Sequence, residues 1–159
     1  MKTIAIFASG SGSNAENIYN YFYQNEDIKV STLVCNNSKA GVWARFEHTD
    51  VQLILIQKSD LSSPEFIDKL KNIDLIVLAG FLMLIPEVLI DAFPDRIVNI
   101  HPSLLPKYGG AGMYGDRVHE AVLMNHELET GITIHLVNKE YDKGEILFQA
   151  KTAIDIDEP

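Results

Sequence analysis

Apolar residues run through this chain in short, nearly unbroken blocks, and amphipathic stretches lie between them. Residues 3–8 form the first block, the loop Ser9-Gly10-Ser11-Gly12-Ser13-Asn14 follows, and an amphipathic segment runs from 15 to about 24. That order predicts strand, glycine loop and helix. Ile28–Cys35 predicts a second strand, closed by Asn36-Asn37-Ser38, with Asn37 or Ser38 capping a helix that runs to about 48. Residues 51–56 predict a third strand. Ser62 with Glu65 three residues on has capping-box spacing, and Pro64 suits the first turn of a helix to about 72. A fourth strand over 75–79 ends at Gly80-Phe81, a short helix covers 86–93, and a fifth strand covers 96–101. Another helix is expected over 115–125. Two last strands, 132–137 and 146–150, are joined by a tight turn at Asp142-Lys143-Gly144.

Strands alternating with helices, most of them apolar throughout, mean a mostly parallel sheet covered on both faces. The last two strands are joined by a turn too short for a crossover, so they pair antiparallel. The expected fold is α/β and Rossmann-like, with helices on both faces and a C-terminal antiparallel strand pair. Ligands in such sheets sit beyond the carboxyl ends of the strands. The loops at 10–14, 80–81 and 99–106 all fall at such ends.

The 159 residues, 47% of them hydrophobic, suffice for one domain with an ordinary core. With 13 Lys and Arg against 22 Asp and Glu, the formal net charge is −9, which argues against nucleic acid or an anionic membrane as a partner. A small anionic substrate stays open, because screening over roughly 8 Å lets local groups outweigh net charge. The single cysteine, Cys35, cannot form an internal disulfide and reads as core filler in a reducing, cytoplasmic compartment. The first apolar block is too short for a signal peptide, and no stretch approaches a membrane span.

Chemistry concentrates at a few positions. Asn99 and His101 share a face at the end of the fifth strand, and Pro102 and Pro106 stop the ladder behind them. An amide that donates to an oxyanion, beside an imidazole that titrates near neutrality, suits acyl transfer. Residues 10–15 match the loose pattern G-x-G-x-x-A, but Cys35-Asn36-Asn37 offers no acid for a dinucleotide ribose, and no P-loop lysine follows. What remains is a backbone nest at a helix start, where the Ser13 hydroxyl and Asn14 amide can join in holding one phosphate; the alternative is a plain tight turn. Asp142 is either an ordinary turn aspartate or the carboxylate that supports His101. His135 is either a neighbour of the site or a solvated strand residue, and His48, His119 and His126 read as surface. No metal-ligand spacing and no G-x-S-x-G elbow occur.

These segments, Phe7 through Asn14, Leu78-Ala79-Gly80-Phe81, Asn99 through Tyr108, and Gly131 through His135 with Asp142-Lys143-Gly144, resemble the phosphoribosylglycinamide formyltransferase family in order and over nearly the whole chain. Methionyl-tRNA formyltransferases and formyltetrahydrofolate hydrolases share parts of the central motif, but the Gly-Ser-Gly-Ser-Asn loop points to the glycinamide enzymes. The resemblance implies transfer of a formyl group from 10-formyltetrahydrofolate, a co-substrate used without metal, to the amine of glycinamide ribonucleotide. That is a step of de novo purine biosynthesis in one-carbon metabolism. It implies that Gly12, Ser13 and Asn14 hold the phosphate, and that Phe81, Leu82, Ile85, Asn138, Glu140 and Tyr141 line the folate pocket. It makes Asn99, His101 and Asp142 catalytic, with His135 in support. It also implies a single formyltransferase domain over 1–159 without the family's usual C-terminal helix. That feature keeps open a catalytically weak folate- or nucleotide-phosphate-binding domain, and the shared central motif keeps open a formyltetrahydrofolate hydrolase. Two departures stand out. The glycine-rich stretch 109–115 is longer than in many members, a lid or a plain loop, and Met83 stands where some members are basic.

Overall fold

The computed structural model describes residues 1–154. The expectation about a C-terminal helix therefore lies outside the described residues. Element order is β1 (Lys2–Ala8), α1 (Ser13–Phe22), β2 (Ile28–Cys35), α2 (Val42–Phe46), β3 (Gln52–Leu55), a 3-10 turn (Lys58–Ser62), α3 (Pro64–Lys69), β4 (Leu75–Leu78), α4 (Glu87–Ala92), β5 (Ile97–His101), α5 (Asp116–Met124), β6 (Glu129–Leu136) and β7 (Ile146–Ala153). One seven-stranded sheet has the order β3-β2-β1-β4-β5-β6-β7. Strands β1 to β5 pair parallel. Strand β6 runs antiparallel to β5, and β7 antiparallel to β6. This is the α/β, mostly parallel architecture expected from the sequence.

Period-two alternation splits the core between the two faces. In β1, Ala5 and Phe7 join one buried cluster with Phe66, Leu70, Ile76 and Leu89, while Ile4, Ile6 and Ala8 join another with Leu33, Val42 and Phe46. Strand order reverses between β1 and β4. The loops leaving their carboxyl ends diverge there and open a crevice.

Two helix starts differ from the pattern. Residues 38–41 are not helical, because Asn37 folds a turn on itself. Its Oδ1 accepts from Lys39 N at 3.0 Å, and its carbonyl accepts from Ala40 N at 3.1 Å and Trp43 Nε1 at 2.8 Å. Helix α2 therefore begins only after Gly41. Ser62 ends the 3-10 turn, whose capping box is Gln57 with Asp60. The residue that caps α3 is Ser63, its Oγ accepting from Phe66 N at 3.1 Å. Strands β6 and β7 are longer than their apolar stretches, with pairing from Glu129–Ala153 to His135–Ile146.

Candidate active site

The loop after β1 is held from outside the crevice. Gly12 sits at φ 77°, and a Cβ there would fall 2.3 Å from Val42 Cγ2, so only glycine lets the loop pack on α2. Val42 N donates to Gly10 O at 3.1 Å, and Arg45 Nε to Ser11 O at 2.7 Å, while Arg45 also pairs with Glu16. Helix α1 starts at Ser13 with no side-chain cap. Residues Gly10 to Asn14 line the crevice, so the uncapped helix start and the Ser13 and Asn14 residues border it, an arrangement suited to a phosphate.

Across the crevice, β5 and β6 bring two imidazoles and an amide onto one face. The antiparallel register sets Asn99 opposite His135 and His101 opposite Thr133, and opposed residues project to the same side. Both histidines are buried, His101 3% and His135 2% exposed. Asn99 Nδ2 lies 3.0 Å from His135 Nε2 and donates to Asp142 Oδ1 at 3.3 Å. His135 Nδ1 lies 2.8 Å from Leu136 O. A carbonyl only accepts, so Nδ1 carries the proton and Nε2 accepts from the amide. This places His135 at the site rather than in solvent.

Asp142 completes the cluster from the turn after β6, at φ 56°. Its Oδ1 is 3.5 Å from His101 Nδ1 and 3.6 Å from His135 Nε2, and its Oδ2 accepts from Gly110 N at 2.9 Å. Burial pushes the Asp142 carboxyl up. Against it stand a hydrogen bond from His135 when that ring is protonated at Nε2, the Gly110 N–H and the charge of His101, which hold the group below the usual carboxylate range. His101 Nε2 donates to Tyr108 O at 2.8 Å. Both ring nitrogens of His101 therefore face acceptors.

These groups open onto one cavity of about 660 Å³, which reaches from the 10–14 loop to Asp142. Phe81, Leu82, Ile85, Asn138, Glu140 and Tyr141 all line it. The Leu82 N–H donates to Ser9 Oγ at 3.0 Å, so of its backbone groups only the carbonyl is free for a ligand. His119, expected at the surface, is exposed but also lines this cavity beside the 110–115 loop. The Tyr108 carbonyl and Gly110 N–H, like all main-chain partners, carried no residue-type signal that could have found them. Cys35 is buried away from the cavity, and burial pushes its thiol up. Among the described residues no group of three or more His, Cys, Asp or Glu could hold a metal ion, and no helix is long and apolar enough to cross a membrane.

A family model described as formyl transferase matches residues 2–159. The chain is 40% identical over 162 residues to the chloroplastic phosphoribosylglycinamide formyltransferase of Arabidopsis thaliana, covering 96% of this chain and 56% of that protein. It is 34% identical over 166 residues to the phosphoribosylglycinamide formyltransferase of Bacillus subtilis, covering 99% and 82%. The crystal structure of phosphoribosylglycinamide formyltransferase from Bacillus halodurans matches with a TM-score of 0.85 at 33% identity, over 99% of this chain and 83% of that one. The chain thus spans little more than half the length of the plant relative.

Proposed function

The chain belongs to the formyl transferase family, and from that premise we propose that it transfers a formyl group from 10-formyltetrahydrofolate to the amine of glycinamide ribonucleotide, a step of de novo purine biosynthesis. The observation that carries this reading is the meeting of Asn99, His101, Asp142 and His135 within hydrogen-bonding reach, on the same cavity as an unsatisfied helix start. The chain acts as one formyltransferase domain over 1–159, in a reducing compartment such as the cytoplasm, with no metal taking part.

The ribonucleotide phosphate sits on Gly12, Ser13 and Asn14, which directs its amine toward Asn99 and His101. The folate lies along Phe81, Leu82 and Ile85, with Asn138, Glu140 and Tyr141 on the other wall. The amine nitrogen bonds to the formyl carbon, and the carbonyl oxygen becomes an oxyanion. The His101 imidazolium stabilises that charge, and Asn99 donates through Nδ2. At rest both Nδ2 hydrogens are engaged by His135 and Asp142, so the oxyanion competes with them. Collapse breaks the bond from carbon to the folate nitrogen, and the proton lost by the amine ends on that nitrogen. Asp142 holds the imidazolium and relays the proton.

The test is loss of the formyl group from the folate with and without glycinamide ribonucleotide. Loss that needs the ribonucleotide is the expected result. Folate binding without turnover would make the chain a binding domain. Formate release without the amine would make it a hydrolase.

A further inference from the structure

Two consecutive side chains in the loop after β5 converge on one carboxylate oxygen. Lys107 Nζ lies 2.7 Å and Tyr108 Oη 2.9 Å from Glu127 Oε1, in the turn between α5 and β6. In extended chain, successive side chains leave on opposite sides. Here the Tyr108 backbone turns into the left-handed region at φ 57°. A residue with a side chain keeps that conformation only where its surroundings hold it.

The same turn aims the Tyr108 carbonyl back at the site, where it accepts from His101 Nε2 at 2.8 Å. The ring is thereby fixed between two acceptors, with Asp142 Oδ1 on the Nδ1 side at 3.5 Å. Two residues on, Gly110 N holds Asp142 Oδ2. Hydrogen bonds from Lys107 and Tyr108 hold the Glu127 carboxyl below the usual range, so it is an ionised acceptor at neutral pH. Neither Tyr108 nor Glu127 lines the cavity.

We propose that Glu127 is a positioning residue of the transfer site: by holding the Tyr108 phenol it fixes the Tyr108 carbonyl, and through that carbonyl the rotation of the His101 ring toward Asp142. What the imidazole does is taken from the transfer reading above. What orients it is set by Tyr108 and Glu127.

Glu127→Ala, Tyr108→Phe and Glu127→Gln separate the possibilities. In steady-state formyl transfer, Glu127→Ala and Tyr108→Phe should each lower kcat about tenfold, because a loosened supporting contact misplaces the reacting group. KM for both substrates should stay within about twofold, since ligand contacts are untouched. Glu127→Gln keeps an oxygen for the phenol and should hold kcat within about threefold of the unaltered chain. By NMR, the His101 Nε2 proton, assigned through its loss in His101→Gln, should exchange slowly in the unaltered chain and in Glu127→Gln, and rapidly in Glu127→Ala. Unchanged kcat in Glu127→Ala, a slow proton that survives it, or equal losses in the Gln and Ala variants overturns the clamp. A slow, Glu127-dependent proton in a chain that transfers no formyl group upholds the clamp and refutes the transfer reading.

Discussion

Asp142→Asn removes one charge at the point where three donors converge. Oδ1 accepts from Asn99 Nδ2 at 3.3 Å and faces His101 Nδ1 at 3.5 Å, and Oδ2 accepts from Gly110 N at 2.9 Å. An asparagine must turn its amino group toward one of those sides, so a donor meets a donor whichever way it sits. The ground-state cost is about 1–3 kcal/mol, that of one buried donor left without a partner. In the proposed mechanism the larger loss falls on the transition state, where the His101 imidazolium loses its fixed counter-charge. Removing one such preorganised element costs about 10²–10³ in kcat, or roughly 3–4 kcal/mol. Steady-state formyl transfer with both substrates saturating measures it. KM for the ribonucleotide should hold, because the proposed phosphate site, Gly12 to Asn14, lies across the crevice. If Asp142 acts through His101, the double variant with His101→Ala is no more than about threefold slower than His101→Ala alone. A kcat for Asp142→Asn within tenfold of the unaltered chain, or losses that multiply in the double variant, refutes the mechanism. Stability gives a second check on sign. The depressed carboxyl contributes fully above the unfolded aspartate range near 3.9, and the contribution is lost as pH falls through the folded value. The gap in Tm between the two chains should therefore narrow in acid.

Gly12→Ala puts a Cβ 2.3 Å from Val42 Cγ2 at φ 77°; it should raise KM for the ribonucleotide about tenfold and lower stability by about 1–3 kcal/mol, and an unchanged KM would disconnect the loop from phosphate binding. Thr133→Val strips a buried hydroxyl that donates to Ser103 O at 2.6 Å and accepts from Leu105 N at 3.0 Å and Gln149 Nε2 at 2.9 Å; urea unfolding should show a loss of about 1–3 kcal/mol. Asp74 is paired to Lys2 and hydrogen-bonded by Thr3, which lower its carboxyl to about 2; Asp74→Asn should lower Tm above about pH 4, where the unfolded aspartate is ionised, with the deficit fading toward pH 2.

The sheet was legible because most of its strands carry an apolar block; β2 falls on the residues that the pattern marks. Helix starts were less so, since they depend on which polar group is already committed. Asn37 has the chemistry of a cap, yet its oxygens are taken by Lys39 N, Ala40 N and Trp43 Nε1, and the helix waits until Val42. Ser62 and Ser63 are equivalent in propensity, and the 3-10 turn decides between them. At the site, Asn99 and His101 could be paired from strand alternation alone. His135 could not, because alternation gives a face but not the neighbour across the ladder. The backbone groups of Tyr108 and Gly110 were invisible for a simpler reason, since every residue type but proline offers an N–H and every one a carbonyl.

The cluster depends on strand register more than on any motif. With Asn99 opposite His135, the amide meets an imidazole, and with His101 opposite Thr133, the histidine backs onto a hydroxyl that pins the loop through Ser103 O and Leu105 N. A one-residue slip of β6 would bring its isoleucines to that face, because side-chain period is two. The amide and the loop would then lose their partners together. Two glycines allow the close backbone approach on which this hairpin depends. A Cβ at Gly131 would fall 1.9 Å from Ala150 O, and one at Gly144 1.6 Å from Leu136 O. The β6–β7 hairpin therefore closes this tightly only with glycine at both places. That closure also sets the turn carrying Asp142, so the position of its carboxylate beside His101 follows from how two backbones pack at the edge of the sheet.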